Sequence, residues 1–228
     1  TPPISMLADF AGGGMLLAYG ILAALFARES TGAGQVVDAA MVDGSAMMFT
    51  PFYAAQASGF WGPRGTNLLD SGAPFYDTYE TADGKWIAVG ALEPQFYAAF
   101  LIGLELDPTS LPDQNDKSGW PILRERFSSA IKLRTRAEWE ERFLGVDACV
   151  APVLTPEEAP LYPHNKERNT FLNIGGVPQP APAPRFSATP AASPRPPMHP
   201  GENTEAVLND WGIPSEKVAA LVERGIII

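Results

Sequence analysis

The sequence predicts an α/β protein, and three of its features indicate this fold class. Two β-rich runs, at residues 75–80 and 85–91, flank an Asp-Gly pair of the kind that forms a tight hairpin turn. Residues 4–28 have the length and apolar content of a helix. Two amphipathic stretches, at 120–131 and 135–143, predict further helices after the hairpin. Together they indicate a helical first part followed by a smaller α+β domain.

The composition is that of a globular protein with few basic surfaces. At 228 residues and 46% hydrophobic content, the chain can bury a sizeable core. Its formal net charge of -10 argues against nucleic acid or an anionic membrane as the main partner. The single cysteine, Cys149, excludes a disulfide within the chain and predicts a reducing, cytoplasmic compartment. Its apolar neighbours predict a buried structural thiol.

The sequence predicts that the first helix is buried in the protein rather than spanning a membrane. Its apolar run at 15–26 is shorter than the ~20 residues that cross a bilayer, and we expect no secretory signal before it. Three consecutive glycines, Gly12, Gly13 and Gly14, each cost a helix about 0.8–1.0 kcal/mol relative to alanine. Something must therefore approach this backbone closely, and both a second helix and a ligand remain open.

The rest of the chain predicts the following elements. Residues 35–37 indicate a short strand, and Asp38 indicates the N-cap of a helix that runs to about residue 58. Pro94 suits the first turn of a helix at 94–104, with Glu93 at its N-terminus. Residues 146–154 predict a buried strand and 155–158 a helix start. A proline-rich stretch at 177–200 predicts an extended strap, followed by helices at 202–211 and 214–224.

Carboxylate chemistry is the chemistry that the residue types support. His164 and His199 both lie beside prolines in loop-like sequence, so with one cysteine they predict no metal site. No G-x-S-x-G elbow indicates a serine hydrolase. Four acidic residues lie beside enough apolar sequence to be candidates for acid–base work: Asp9, Asp38, Asp70 and Glu93. For Glu93, residue type alone favours the structural alternative, an acid that caps the helix N-terminus.

Four motifs resemble one known family. The chain carries LADFAGGG at 7–14, GQVVDAAMVDG at 34–44, GALEPQF at 90–96 and HNKERN at 164–169. In this order they are similar to the α-methylacyl-CoA racemase branch of the family III CoA-transferases, the CaiB/BaiF superfamily. The resemblance implies the end of a large Rossmann-like CoA-binding domain at 1–70, a smaller α+β domain at 71–176, and a strap with terminal helices at 177–228. It also implies a homodimer of interlocked subunits.

The resemblance implies racemisation of 2-methylacyl-CoA thioesters by removal and return of the α-proton. Asp9 matches a catalytic aspartate of the family, and Glu93 matches a glutamate that assists a catalytic histidine. The implied substrate-binding residues are Leu69, Asp70, Tyr76 and Leu92. No metal and no cofactor are implied, because CoA is part of the substrate.

The chain departs from the family pattern in one large respect. In the family, the catalytic histidine and most of the nucleotide-binding half precede the motif that contains Asp9. Neither His164 nor His199 matches that histidine, so we expect a missing N-terminal half to act as a partner. In the segment GENTE at 201–205, Asn203 stands where histidine is common, and we assign it no catalytic role.

Two alternatives of other classes remain open. A family III CoA-transferase would use Asp9 as a nucleophile that takes up the acyl group, although such transferases carry a glycine-rich loop near the position of Glu93. A non-catalytic acyl-CoA-binding or assembly fragment would bind its ligand without proton exchange. Transfer of CoA to a free carboxylate would distinguish the first alternative, and binding without turnover the second.

Overall fold

The computed structural model describes residues 5–227, and these form two compact units that meet in the sequence between Val153 and Leu154. The first unit opens with a π-helical segment (Met6–Met15) that continues into α1 (Leu16–Thr31). It then contains α2 (Met41–Met48) and α3 (Thr50–Ala57). The proposed domain boundaries at 70 and 176 remain a prediction.

Helix α2 makes the close approach that the three glycines require. Gly12 and Gly13 are buried in the π-helical segment. A Cβ atom on Gly44 of α2 would lie 2.0 Å from the backbone oxygen of Gly12, and one on Gly12 would lie 3.0 Å from the amide nitrogen of Ser45. No side chain fits between these backbones, so glycine is needed on both helices. The sequence left open whether a second helix or a ligand approaches the three glycines, and in the structure a second helix, α2, does so.

The prediction that the apolar run at 15–26 is buried was wrong. The run is helical, but α1 contains no buried residue, and Leu22 and Phe26 are 67% and 81% exposed. Helix α1 continues the helix of the π-helical segment, and the side chain of Val37 approaches it at Gly20. Residues Met6–Thr31 form a helix that is long and apolar enough to cross a membrane by length and composition, a test that core helices also pass.

The predictions for residues 35–58 need two corrections. Residues 35–37 form no strand with the described part of the chain, and α2 begins after Ala40 rather than after Asp38. The single predicted helix is divided at Phe49, because Pro51 has no N–H to donate to the carbonyl of Met47. The hydroxyl of Thr50 donates to that carbonyl instead, at 2.7 Å.

The predicted hairpin is confirmed as the start of a three-stranded antiparallel sheet. Strands β1 (Tyr76–Glu80) and β2 (Trp86–Gly90) pair with Tyr76 opposite Gly90, and Gly84 adopts a φ of 73° in the turn. Strand β3 (Val150–Val153) pairs with β2 on its other side. It was predicted to be buried, but it is an edge strand whose residues alternate between exposed and half-buried.

Three predicted helices are confirmed, and they cover one face of this sheet. They are α4 (Pro94–Gly103), α5 (Trp120–Ile131) and α6 (Arg136–Phe143), with a short 3₁₀ turn at Pro108–Ser110 between the first two. A capping box between Thr135 and Glu138 starts α6. The helices and sheet enclose an aromatic core, whose largest fully buried members are Phe75, Phe100, Phe127 and Trp139. The opposite face of the sheet is left without this cover.

The second unit is built from short elements. The predicted helix start at 155–158 is a turn, in which the hydroxyl of Thr155 accepts from the amide of Glu158, and a 3₁₀ turn (Ala159–Leu161) and α7 (Pro163–Glu167) follow. Strands β4 (Phe171–Ile174) and β5 (Val177–Pro180) form a hairpin, so the first residues of the predicted strap lie in a sheet. Residues 181–199 are irregular and largely exposed, as predicted. The two predicted terminal helices are confirmed as α8 (Thr204–Asp210) and α9 (Ser215–Glu223).

Candidate active site

A cavity of about 430 Å³ lies on the face of the three-stranded sheet that points away from the aromatic core. Side chains alternate between the two faces of a strand, and this face carries small residues at the positions of Ala88, Gly90 and Ala151. Their small size leaves the volume open. The lining residues are Leu69, Ser71, Tyr76, Asp77, Thr78, Ala88, Val89, Gly90, Cys149 and Ala151.

The structure brings two of the predicted substrate-binding residues to this cavity. Leu69 and Tyr76 both line it, and both are well exposed, at 45% and 38%. Leu69 also lines a second cavity of about 430 Å³, whose walls include Phe52, Trp61 and Trp120. Leu69 therefore stands between two apolar spaces of the first unit.

Glu93 acts electrostatically on Cys149, which lines the same cavity. It is the N-cap residue of α4, as predicted, but its side chain accepts no hydrogen bond from the helix. The pKa of the Cys149 thiol is raised, first by partial desolvation of the thiol and then by the negative charges of Asp147 and Glu93. The charge of Glu93 therefore acts on a thiol that lines the cavity, although Glu93 itself is not among the lining residues. The exposed carboxylate is thus available for a role other than capping.

The prediction that Cys149 is buried was wrong. Cys149 is exposed and adopts a φ of 52° immediately before the edge strand β3. Its backbone oxygen accepts a hydrogen bond of 2.8 Å from the amide of Gly90, which continues the sheet by one residue. The left-handed backbone turns the cysteine toward the open face, a conformation that its apolar sequence neighbours did not indicate.

Leu92 and Asp9 do not line this cavity. Leu92 is half-buried and packs against the aromatic core, and its backbone oxygen accepts from the side chain of the buried Gln114 at 2.9 Å. Asp9 lies in the π-helical segment, where its side chain is exposed and forms no hydrogen bond or ion pair with another described residue. Its carboxylate is therefore free to meet a ligand, and its catalytic role stays a prediction.

Asp70 organises the loop that carries Leu69. Its carboxylate accepts hydrogen bonds from the backbone amides of Gly65 and Asn67, both at 2.8 Å, and from the side-chain amide of Asn67 at 2.6 Å. Asn67 is 1% exposed, and its side chain also bonds with the backbone of Gly62 and Pro63. The sequence analysis missed Asn67, because a buried asparagine that joins two ends of a loop has no local sequence signal.

The Asp70 network makes a pH-dependent prediction. Burial acts to raise the pKa of Asp70, but the hydrogen bonds from Asn67 and Gly65 outweigh it, so the pKa lies below the usual 3.8. A carboxylate with a depressed pKa stabilises the fold above its unfolded pKa, and this contribution is lost as the pH falls through the folded pKa. We expect Asp70→Asn to lower the free energy of unfolding at pH 7 by about 1.5 kcal/mol, and the difference to shrink at pH 3.

Urea unfolding at the two pH values measures this effect. Asp38→Asn is the matched control, since Asp38 is exposed and forms no hydrogen bond with another described residue. A gap between the wild type and Asp70→Asn that stays constant from pH 7 to pH 3 would contradict the assignment.

The part of the chain that the structure describes contains no group of three or more His, Cys, Asp or Glu side chains placed to hold a metal ion. His164 and His199 both lie in the second unit, in or before its short helices. The expectation of a metal-free site therefore stays a prediction that rests on the sequence.

The sequence of this chain is similar to those of known proteins. A family model described as CoA-transferase family III matches residues 3–204. The chain is 47% identical to the α-methylacyl-CoA racemase of Mus musculus and 46% identical to that of Homo sapiens, in each case over 99% of its own length. It spans 60% of the length of both relatives. It is also 28% identical to an acetyl-CoA:oxalate CoA-transferase of Acetobacter aceti, over 74% of its length and 44% of that protein's.

Solved structures agree on the fold. A CaiB/BaiF family protein from Brucella suis superposes with a TM-score of 0.70 at 20% identity, covering 92% of this chain and 56% of that one. A hypothetical protein from Mycobacterium tuberculosis gives a TM-score of 0.65 at 22% identity, covering 90% and 55%. The mixed helix and strand architecture is therefore that of the CaiB/BaiF structures. Since the family model matches most of the sequence, this chain belongs to CoA-transferase family III.

Proposed function

We propose that the protein racemises 2-methylacyl-CoA thioesters by removing and returning the α-proton. The observation that carries this proposal is the 46–47% identity to two α-methylacyl-CoA racemases over 99% of the chain. Because the chain spans 60% of their length, we propose further that the complete site needs a segment corresponding to the rest of these relatives. No cofactor is required besides the CoA group of the substrate.

The proposed chemistry is a proton transfer through an enolate. A base takes the proton from the α-carbon, and the electron pair of that C–H bond moves toward the thioester carbonyl, whose oxygen carries the developing charge. An acid then gives a proton to the opposite face of the α-carbon, so that the C–H bond re-forms with inverted configuration. Asp9 is one member of this pair. The other member is a histidine in the part of the relatives that this chain does not span, and Glu93 supports that histidine.

The geometry of the cavity is consistent with this substrate. Its small-residue floor leaves room for a branched α-carbon, and Leu69 and Tyr76 offer apolar walls for the acyl group. The exposed carboxylate of Glu93 at the start of α4 is held by a rigid helix end, since the amide of Tyr97 donates to its backbone oxygen at 2.9 Å. A group placed in this way can orient a partner residue without moving itself.

The quaternary structure and location are also proposals. We propose a homodimer of interlocked subunits, in which residues 1–70 complete a Rossmann-like CoA-binding domain, and a cytoplasmic enzyme. The exposed apolar surface of α1 supports an assembled state, because the side chains of Leu22 and Phe26 would gain from cover. Light scattering at micromolar concentration tests the dimer, and a monomer there would contradict it.

A CoA-transferase is the second candidate function. The similarity to the acetyl-CoA:oxalate CoA-transferase of Acetobacter aceti favours it. In this reaction the carboxylate of Asp9 would attack the thioester carbonyl, release the CoA thiolate and form a mixed anhydride. The thiolate would then attack the Asp9 carbonyl of this anhydride, which releases the donor acid as its carboxylate and leaves Asp9 as a CoA thioester. An acceptor carboxylate would attack this thioester and form a second anhydride with Asp9, and the CoA thiolate released in that step would attack the acceptor's acyl carbon, which forms the new acyl-CoA and frees Asp9. Transfer of CoA to a free carboxylate without α-proton exchange would establish this function instead.

The first test is deuterium uptake at the α-carbon of a 2-methylacyl-CoA in D2O, followed by proton NMR. It compares this chain alone with a chimaera that joins the chain to the part of the mouse racemase outside the match, and the complete mouse racemase is the positive control. Exchange by the chimaera alone is the expected result. If neither protein exchanges the proton while the control does, the racemase proposal fails. Binding without exchange or transfer would leave the non-catalytic acyl-CoA-binding fragment.

Replacement of Glu93 by glutamine tests its supporting role. In the chimaera we expect Glu93→Gln to lower the exchange rate by about 10²-fold, because the supported acid–base group loses its orientation. Glu125→Gln, the same change at an exposed position of α5, should leave the rate unchanged. An exchange rate within twofold of wild type for Glu93→Gln, with a lowered melting temperature, would assign Glu93 to capping alone.

A further inference from the structure

Arg124 connects two segments at the rim of the site cavity. It lies on α5, on the core side of the sheet, and its side chain is 37% exposed. One guanidinium nitrogen forms an ion pair with the carboxylate of Asp77, and the other donates to the backbone oxygens of Ser71 at 2.7 Å and Gly72 at 3.1 Å. Ser71 and Asp77 both line the cavity, whereas Arg124 does not.

The corner that contains Ser71 needs support from outside. Ser71 adopts a φ of 68°, which side chains other than glycine rarely accept. At Gly72 the chain turns so sharply that a Cβ atom would lie 2.5 Å from the backbone oxygen of Asn67. The Asp70 network holds the corner from the preceding side, and Arg124 holds it from the following side. Leu69 lies between these two supports.

Arg124 also fixes the first residues of β1. Asp77 points toward the core side, because it alternates with Tyr76, which points into the cavity. The other carboxylate oxygen of Asp77 accepts from the amide of Thr78 at 2.8 Å, so the carboxylate is held on two sides. Fixing Asp77 therefore fixes the backbone from which the ring of Tyr76 projects.

The chemistry of the contact requires arginine. A guanidinium group is planar and presents several N–H donors in a fixed fork, so it bonds to a carboxylate and to two carbonyl oxygens at once. The single ammonium of a lysine is a point charge on a flexible stem and does not reproduce this arrangement. Arg126, two residues later on the same helix, is exposed and offers a matched control.

We propose that Arg124 is a positioning residue of the candidate active site, which sets Leu69 and Tyr76 against the acyl group by holding the Ser71–Gly72 corner and Asp77 together. The catalytic part of this inference rests on the racemase function proposed above. The structural part does not rest on that function, because it concerns how well the backbone of residues 67–77 is held in place in this chain.

The test has one arm for each part. Amide hydrogen exchange of the segment 68–76, read by mass spectrometry on this chain, compares the wild type with Arg124→Ala, Arg124→Lys and Arg126→Ala. We expect amide exchange of this segment to be about tenfold faster in both Arg124 variants and unchanged in the Arg126→Ala control. In the chimaera, we expect both Arg124 variants to lower kcat/KM for α-proton exchange by about 10²-fold. Millimolar guanidinium should restore part of the activity of Arg124→Ala, and methylammonium should not.

The outcomes separate this inference from the proposed function. Faster amide exchange in the Arg124 variants supports the inference even where the wild-type chimaera exchanges no α-proton, a result that counts against the racemase alone. Unchanged amide exchange in Arg124→Ala overturns the inference whatever the activity. Faster amide exchange with unchanged kcat/KM also overturns it, because the loss of order at the Ser71–Gly72 corner would then have no consequence for the reaction.

Discussion

Asp9→Asn is expected to abolish α-proton exchange while leaving the fold intact. An amide cannot act as the general base that we propose for the carboxylate of Asp9, and loss of a general base typically costs 10²–10⁴-fold in rate. The side chain of Asp9 is exposed and forms no hydrogen bond or ion pair with another described residue, so its replacement removes no contact from the fold. The chimaera should therefore lose at least about 10³-fold of its exchange rate at an unchanged melting temperature.

Two measurements make this result specific. Proton NMR in D2O gives the exchange rate, and circular dichroism gives the melting temperature. Asp43→Asn is the matched control, since Asp43 lies in the first turn of α2 and is exposed; we expect it to retain full activity. Exchange by Asp9→Asn at more than a tenth of the wild-type rate would remove Asp9 from the mechanism, and the histidine supplied by the remaining segment would have to do both transfers.

Phe127→Ala is expected to have the largest effect on stability. Phe127 is 0% exposed on α5, and its ring lies 5.1 Å from that of Phe100 and 6.3–6.4 Å from those of Tyr97 and Tyr79, all in edge-on geometry. Truncation leaves a cavity that these large rings cannot fill by small movements. Buried Phe→Ala changes cost about 3–5 kcal/mol of unfolding free energy, and we expect a value in this range.

Urea unfolding followed by far-UV circular dichroism measures this loss. Ile122→Ala on the same helix is the control, because Ile122 is 53% exposed and its truncation should change the unfolding free energy by less than about 0.5 kcal/mol. The burial that makes Phe127 important also raises the pKa of the neighbouring Tyr97 to about 12. Equal effects of the two variants would mean that the aromatic cluster is not the stabilising core of the first unit.

Local signals were sufficient for the elements nearest the site. The Asp-Gly pair and the alternating runs on either side specify the hairpin of β1 and β2, because a tight turn of this kind fixes the register of its strands. Pro94 specifies the start of α4, since its ring presets the first helical φ angle and its missing N–H costs nothing there. The family resemblance likewise follows from short motifs, and the match over residues 3–204 confirms it.

Burial was harder to predict than secondary structure. The run at 15–26 and the neighbours of Cys149 are equally apolar, and both were predicted to be buried, yet α1 and Cys149 are exposed. Apolar composition indicates which segments would be stabilised by burial, whereas the tertiary packing determines whether another element buries them. Polar residues show the converse, because Asn67 is 1% exposed although its residue type favours the surface.

The candidate site depends on contacts between residues far apart in the chain. Residue type made Asp9 and Glu93 candidates, because side-chain chemistry is a property of single residues, and the family resemblance added Leu69 and Tyr76. Only the pairing of β2 with β3 brings Cys149 to the cavity beside Tyr76, and only the packing of α5 on the sheet brings Arg124 to Ser71 and Asp77. These contacts form when separate elements share one core, so no local pattern encodes them.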